Sequence, residues 1–166
     1  MKKLSLKIAL VTLIFSLVSC SADSLDNKVA VDANKVAVNY DYSENETELA
    51  NLINNYRVSI GLNKLELINY VSVKSEEHDE YMIQNNDVSH AGFKERADEI
   101  TQALGAKKVS ENIAYNFSTS QSALNAWLNS SAHKANIEGD FTHFGISIRL
   151  NAETGKKYYT NIFIKK

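Results

Sequence analysis

Three side chains in the middle of the chain have the chemistry of a site. His90 and His133 are imidazoles and Glu111 is a carboxylate. Two neutral imidazoles and a carboxylate can hold a divalent metal such as zinc with one coordination position open. The same trio can move protons, because histidine titrates near neutral pH. The three lie far apart in sequence and no HExxH-type helix pairs them, so their spacing carries little weight. Each also has a structural explanation. Glu111 can cap neighbouring backbone amides, His133 can be a helix C-terminal residue favoured by the dipole, and His143 can lie on the outward face of a strand. Spacing alone favours those structural roles. His78 falls on the inner stripe of a predicted helix with Val71 and Met82, where a histidine is a hydrogen-bonded core residue. No Gly-x-Ser-x-Gly elbow occurs, and nothing marks Ser130 or Ser131 as a nucleophile.

These groups belong to one unusual stretch. It runs from Ser110-Glu111-Asn112-Ile113-Ala114 to Phe141-Thr142-His143-Phe144-Gly145 and contains the single tryptophan, Trp127. Small and polar residues dominate it, yet it lies between segments that pattern as core. It reads as the wall of a cleft.

The elements that must position this wall follow from periodicity. Ser43-x-x-Glu46 has the form of a capping box. Leu49, Leu52, Ile53, Tyr56 and Ile60 then recur at helical spacing, and Gly61 closes the helix. A second helix is predicted from Leu67 to Asn85, followed by a turn-rich loop holding His90. Phe93, Ala97, Ile100 and Leu104 mark a third helix ended by Gly105. Val109 to Phe117 reads as a short buried strand, in which Glu111 and Asn112 need partners if buried. Ser118-Thr119-Ser120 supplies N-caps for a fourth helix, with Ala123, Leu124, Trp127 and Leu128 inward and its end frayed at Ser130-Ser131. Phe141 to Ile148 and Tyr158 to Ile164 pattern as strands joined by a turn at Asn151–Gly155. Helices first and a hairpin last predict the α+β class, with helices packed on a small antiparallel sheet.

The 166 residues allow one domain plus a targeting segment and a tail. A net charge of -2 offers no basic field for nucleic acid. One cysteine, Cys20, excludes an intramolecular disulfide. It follows a basic Met1-Lys2-Lys3 and the apolar run Ile8 to Val18, which is short of the ~20 residues that span a bilayer. Residues 1–19 therefore read as a signal peptide. Leu17-Val18-Ser19-Cys20 resembles a bacterial lipobox, making Cys20 the lipidated first residue of the mature protein. Residues 20–44, with Asn27-Lys28-Val29-Ala30-Val31 echoed by Asn34-Lys35-Val36-Ala37-Val38, read as a flexible tether to a membrane. Residues 45–166 form the domain.

Several motifs, taken together, resemble the CAP superfamily: the SCP/PR-1-like domains of cysteine-rich secretory proteins, antigen 5 and pathogenesis-related protein 1. They are Ser89-His90, Glu111-Asn112-Ile113-Ala114, Trp127-x-x-Ser130-x-x-His133-x-x-Asn136-Ile137, Phe141-Thr142-x-x-Gly145-Ile146 and Tyr159-x-x-x-Phe163. The likeness is greatest to the bacterial branch and covers about residues 46–165. It implies an α-β-α sandwich, an extracytoplasmic location and a central cleft that in many eukaryotic relatives carries two His and two Glu and can bind zinc. His90 matches the first family His and Glu111 the first Glu. Ser130 stands where the second Glu would be and Asp140 where the second His would be. His133 is the extra histidine of bacterial members. The resemblance leaves two functions in play. One is a lipid-anchored binding module for a small ligand, lipid, peptide or cell-wall fragment. The other is a metal-assisted hydrolase with His90 and His133 on the metal and Glu111 as general base.

Overall fold

The computed structural model describes residues 38–166. The expected signal peptide, Cys20 and most of the expected tether lie outside those residues. Helix α1 (Glu44–Ser59) is followed by a two-residue strand β1 (Glu66–Leu67), α2 (Asn69–Asn85) and α3 (Phe93–Leu104). Then come β2 (Lys108–Tyr115), α4 (Ser120–Asn129), α5 (Ser131–Ile137) and the hairpin β3 (His143–Leu150) and β4 (Lys157–Lys165). The four strands form one sheet in the order β1-β3-β4-β2.

Alternation along the strands divides the core into two layers. Phe144, Ile146, Tyr159 and Phe163 face α1 and α4, where they join Leu49, Ile53, Leu124 and Trp127. Ile162 and Ile164 face the opposite side and join Val71 of α2 with Ile100 and Leu104 of α3. The expected α+β class and α-β-α layering are therefore present.

Both long sheet edges are closed by side chains. Along β3, the amide of Ile146 donates to Ser72 Oγ at 3.0 Å and that of Ile148 to Glu46 Oε1 at 2.9 Å. Glu46 is the far member of the predicted capping box, and its other oxygen accepts from the Ser43 amide at 2.8 Å. One buried carboxylate thus starts α1 and ties it to the sheet. Along β2, Trp127 Nε1 donates to the Ile113 carbonyl at 2.8 Å and Asn136 Nδ2 to the Glu111 carbonyl at 3.2 Å. An unpaired edge is a template for aggregation, and these bonds remove it.

Four expectations need correction. The sheet is mixed, because β1 pairs parallel with β3 through Glu66 and Leu67. Leu67 is therefore strand, and α2 begins at Asn69. Ser130 and Ser131 do not fray α4. Ser130 adopts an extended conformation and the chain re-enters a helix, α5, whose Ile137 is fully buried. The carbonyls of Ile137 and Gly139 accept from the buried Arg57 of α1, at 2.6 and 3.0 Å, which fixes the end of α5. Finally, the last residues assigned to the tether are docked. Tyr40 is buried and donates to Glu46 Oε1 at 2.8 Å, and Tyr42 lies 2.9 Å from Ser72 Oγ.

Gly145 governs how closely α2 approaches the sheet. A Cβ there would lie 2.3 Å from the Val71 carbonyl carbon and 2.4 Å from the Ser72 nitrogen. Both are backbone atoms and cannot turn aside. Gly145→Ala is expected to lower stability by about 3 kcal/mol, read as a drop in the thermal or denaturant midpoint.

Candidate functional site

Glu111 lies in the middle of edge strand β2, and its side chain points toward α2 and α3. It is almost wholly buried, with a side chain only 1% exposed. A carboxylate in that position must be paired or it will not stay charged. Arg96 of α3 supplies the pairing: its Nε and Nη2 donate to Glu111 Oε2 at 3.0 and 2.7 Å. The other oxygen, Oε1, is 2.8 Å from His90 Nδ1 and 3.8 Å from His78 Nε2. Burial pushes the Glu111 carboxyl up, but the His90 hydrogen bond and the charges of Arg96 and His78 outweigh it and hold the group below its ordinary value. Glu111 is therefore an ionised, fully occupied anchor.

His90 comes from the loop between α2 and α3. That loop is shaped by Gly92, whose left-handed conformation (φ 68°) starts α3. It is also held by Arg96 Nη1, which donates to the Ala91 carbonyl at 3.0 Å. Arg96 thus orients both the carboxylate and the loop that carries the histidine. A carboxylate accepting from Nδ1–H fixes the His90 tautomer and leaves Nε2 for a ligand. The side chain is 49% exposed, so that nitrogen lies in a half-open environment.

The neighbouring residue, Asn112, points to the other face of the sheet. Its Nδ2 donates to the His133 carbonyl at 2.9 Å, and its Oδ1 accepts from Asn136 Nδ2 at 2.8 Å. Ser110 Oγ donates to Asn136 Oδ1 at 2.8 Å. This ladder locks α5 to β2 and brings His133 to the strand edge. Burial lowers the His133 pKa, and the nearby His90 lowers it further. His90 and His133 are therefore close enough to influence each other, one arriving from each side of β2.

The residues singled out from sequence thus divide. His90, Glu111 and His133 gather at one edge. Glu111 does not cap backbone amides, because its oxygens go to side chains. His133 is the third residue of α5, so it is not a helix C-terminal residue. Asp140 is exposed and pairs with Lys165 at 2.6 Å, outside the cluster. His143 is half-buried, bonded to Thr142 Oγ1 at 2.8 Å. His78 is buried as expected, but it also faces Glu111. Arg96 went unpredicted. Part of its signal was available: a buried Glu111 on a strand demanded a cation, and Arg96 is the nearest arginine in sequence, although Lys107 and Lys108 are nearer cations.

The donors fit a zinc site poorly. Glu111 is committed to Arg96 and His90, which leaves two imidazoles where a catalytic zinc takes three protein ligands. Among the described residues no group of three or more His, Cys, Asp or Glu side chains is placed to hold a metal ion.

Arg96→Met would leave a buried carboxylate without its main counter-charge. It is expected to cost about 3 kcal/mol at neutral pH. The depressed Glu111 pKa stabilises the fold above the ordinary carboxyl value of 4.5, and that contribution fades as pH falls through the folded pKa. The gap between wild type and variant should therefore shrink in acid, as followed by denaturant unfolding at pH 7 and below pH 4.5.

Comparison with known proteins agrees with this arrangement. The family model described as CAP, the cysteine-rich secretory protein family, matches residues 50–163. The membrane protein YlbC of Bacillus subtilis is 35% identical over 127 residues, covering 73% of this chain. The chain spans only 34% of that relative's length. An extracellular protein containing a SCP domain from Bacillus anthracis is 28% identical, with a TM-score of 0.65 over 74% of this chain and 40% of its own. An outer surface protein of Borrelia burgdorferi shares the fold, with a TM-score of 0.68 and 22% identity over 76% of this chain and 96% of its own. With its helices layered on both faces of the sheet and its motifs at the β2 edge, the chain belongs to the CAP family, in its bacterial branch.

Proposed function

We propose that this CAP domain is a binding module held outside the cytoplasm at a bacterial membrane. Its cleft, at the His90–Glu111–His133 edge, takes a small ligand, lipid, peptide or cell-wall fragment. One observation carries the reading: both oxygens of Glu111 are already bonded, to Arg96 and to His90. A carboxylate so engaged, with its pKa held down, is a poor general base. Its use is to orient His90 for recognition. Among the described residues the hydrogen-bond partner of His90 is Glu111, not a hydroxyl. The hydrolase alternative is correspondingly less well supported.

The imidazoles of His90 and His133 offer hydrogen bonds to a polar group, and the ladder through Asn112 and Asn136 keeps the two walls fixed. Pre-organised donors and acceptors favour binding because little ordering is left to be done when the ligand arrives. The membrane setting is supported by the basic, apolar N-terminus ending at Cys20. It is also supported by relatives described as a membrane protein and an extracellular protein.

Peptidoglycan fragments and short peptides, screened by calorimetry, are expected to include a binder that His90→Ala weakens roughly tenfold, about 1.4 kcal/mol. The same fragments should be recovered unchanged. Turnover that disappears in Glu111→Gln would overturn the binding reading. For the anchor, Cys20→Ala is expected to abolish labelling by a fatty-acid probe in the native host, and labelling that persists would refute it.

A further inference from the structure

Helix α2 lies on the sheet through a row of polar side chains. Ser72, Ser75 and Asp79 are all fully buried. Ser72 Oγ accepts from the Ile146 amide at 3.0 Å, and Ser75 Oγ donates to the Gly145 carbonyl at 3.3 Å. One turn further on, Asp79 Oδ1 accepts from Thr160 Oγ1 at 2.6 Å. Thr160 is the register partner of Ser147 across β3 and β4, so both hydroxyls face α2. Asp79 Oδ2 and Ser147 Oγ have no hydrogen-bond partner among the described residues.

Those two atoms can satisfy one another whatever the charge on Asp79, because a serine hydroxyl both donates and accepts. The surroundings decide the charge. Arg149 of β3 is the cation on that side, and its guanidinium is committed to Glu46, Glu76 and Tyr40. Glu46 of α1 and Tyr159 of β4 act on Asp79 only through space, and the Glu46 charge opposes a second negative charge. Glu76 and His78 are its neighbours on α2. Beyond His78, Glu111 of β2 and Arg96 of α3 are paired with each other. A buried carboxylate with no cation of its own loses its hydration with nothing to replace it, whereas the neutral acid loses far less. Burial pushes the Asp79 carboxyl well above its ordinary range, and Thr160, Ser147 and Arg149 pull it back only in part.

We propose that Asp79 is a neutral carboxylic acid in the folded protein and forms a proton-dependent clasp between α2 and the sheet. With its proton on Oδ2, that oxygen donates to Ser147 Oγ while Oδ1 accepts from Thr160. The row is then satisfied without a charge. Loss of the proton places an uncompensated negative charge in it and weakens the hold of α2. The unfolded chain releases this proton near the ordinary value of 3.8, and the folded chain keeps it to higher pH. The contribution of the clasp is therefore whole below 3.8. Above that value the folding constant declines by about tenfold per pH unit, and the decline levels off above the folded pKa. The clasp stands whatever the surface cluster binds.

The test uses the full chain with ¹³C in its aspartate side-chain carboxyls. The Asp79 signal is assigned by through-bond correlation to its own backbone. At neutral pH it is expected upfield, in the position of a protonated acid. Denaturant unfolding of the wild type and of Asp79→Asn is then compared from about pH 5 to about pH 9. The amide has the size of the acid and no proton to lose, and the other titrating groups cancel in the comparison. The ratio of folding constants, wild type over variant, is expected to fall by about tenfold per pH unit until Asp79 ionises. A carboxylate signal at neutral pH would overturn the proposal. So would a ratio that stays flat across the range, because an acid already ionised in the fold contributes no slope there. The carboxyl signal is read on the wild type alone, so it decides the proposal even where Asp79→Asn does not fold.

Discussion

The structure around the site depends on keeping one carboxylate charged inside the protein. Glu111 sits on an edge strand with almost no contact with water, and a lone charge there would cost several kcal/mol. Arg96 must therefore come from α3, and the α2–α3 loop must fold back so that His90 reaches the second oxygen. Once those bonds are made, α3 and the α2–α3 loop are both tied to the centre of β2. The half-exposed imidazole at the surface is then held by a buried ion pair rather than by its own loop. The loop residues can be few and polar because Arg96 braces them from below through the Ala91 carbonyl.

The opposite face of β2 is fixed by different means. Here the contacts are neutral amides and hydroxyls: Ser110, Asn112 and Asn136, with Trp127 donating to the strand edge. Neutral hydrogen bonds carry no large desolvation cost, so this side can be dense with Asn and Ser without needing counter-ions. The two faces meet at the strand edge, where His90 and His133 approach each other. A protein with no proline and a single cysteine gains its rigidity from such ties rather than from rigid turns or cross-links. The capping glutamate Glu46 plays the matching part at the other end of the sheet. It bonds the β3 edge and, with Glu76, holds Arg149.

Much of this framework is legible in the residues themselves. The Ser43–Glu46 capping box starts α1 as its spacing predicts, Gly105 ends α3, and the late alternation gives the β3–β4 hairpin. Those signals are local: they depend on side chains reaching their own or neighbouring backbone. Helix α5 is not legible in the same way. Its seven residues are too few to be stable alone, and it exists because Arg57, Asn112 and the buried Ile137 hold it. The same holds for β1, whose two residues become a strand only by lying against β3. Tyr40 and Tyr42 read as linker because their partners, Glu46 and Ser72, are in helices that no periodicity connects to them.

The sequence by itself determined the class of the fold and the family motifs, and it offered His90, Glu111 and His133 as candidates. Residue type and spacing encode burial pattern and chemistry directly. Only the tertiary structure decided what those side chains do. Whether Glu111 is a base, a metal ligand or an anchor depends on which groups occupy its two oxygens. Arg96 and His90 reach them from 15 and 21 positions away. Hydrogen bonds are directional and act over about 3 Å, so such roles are settled by the packing that brings distant residues to that distance.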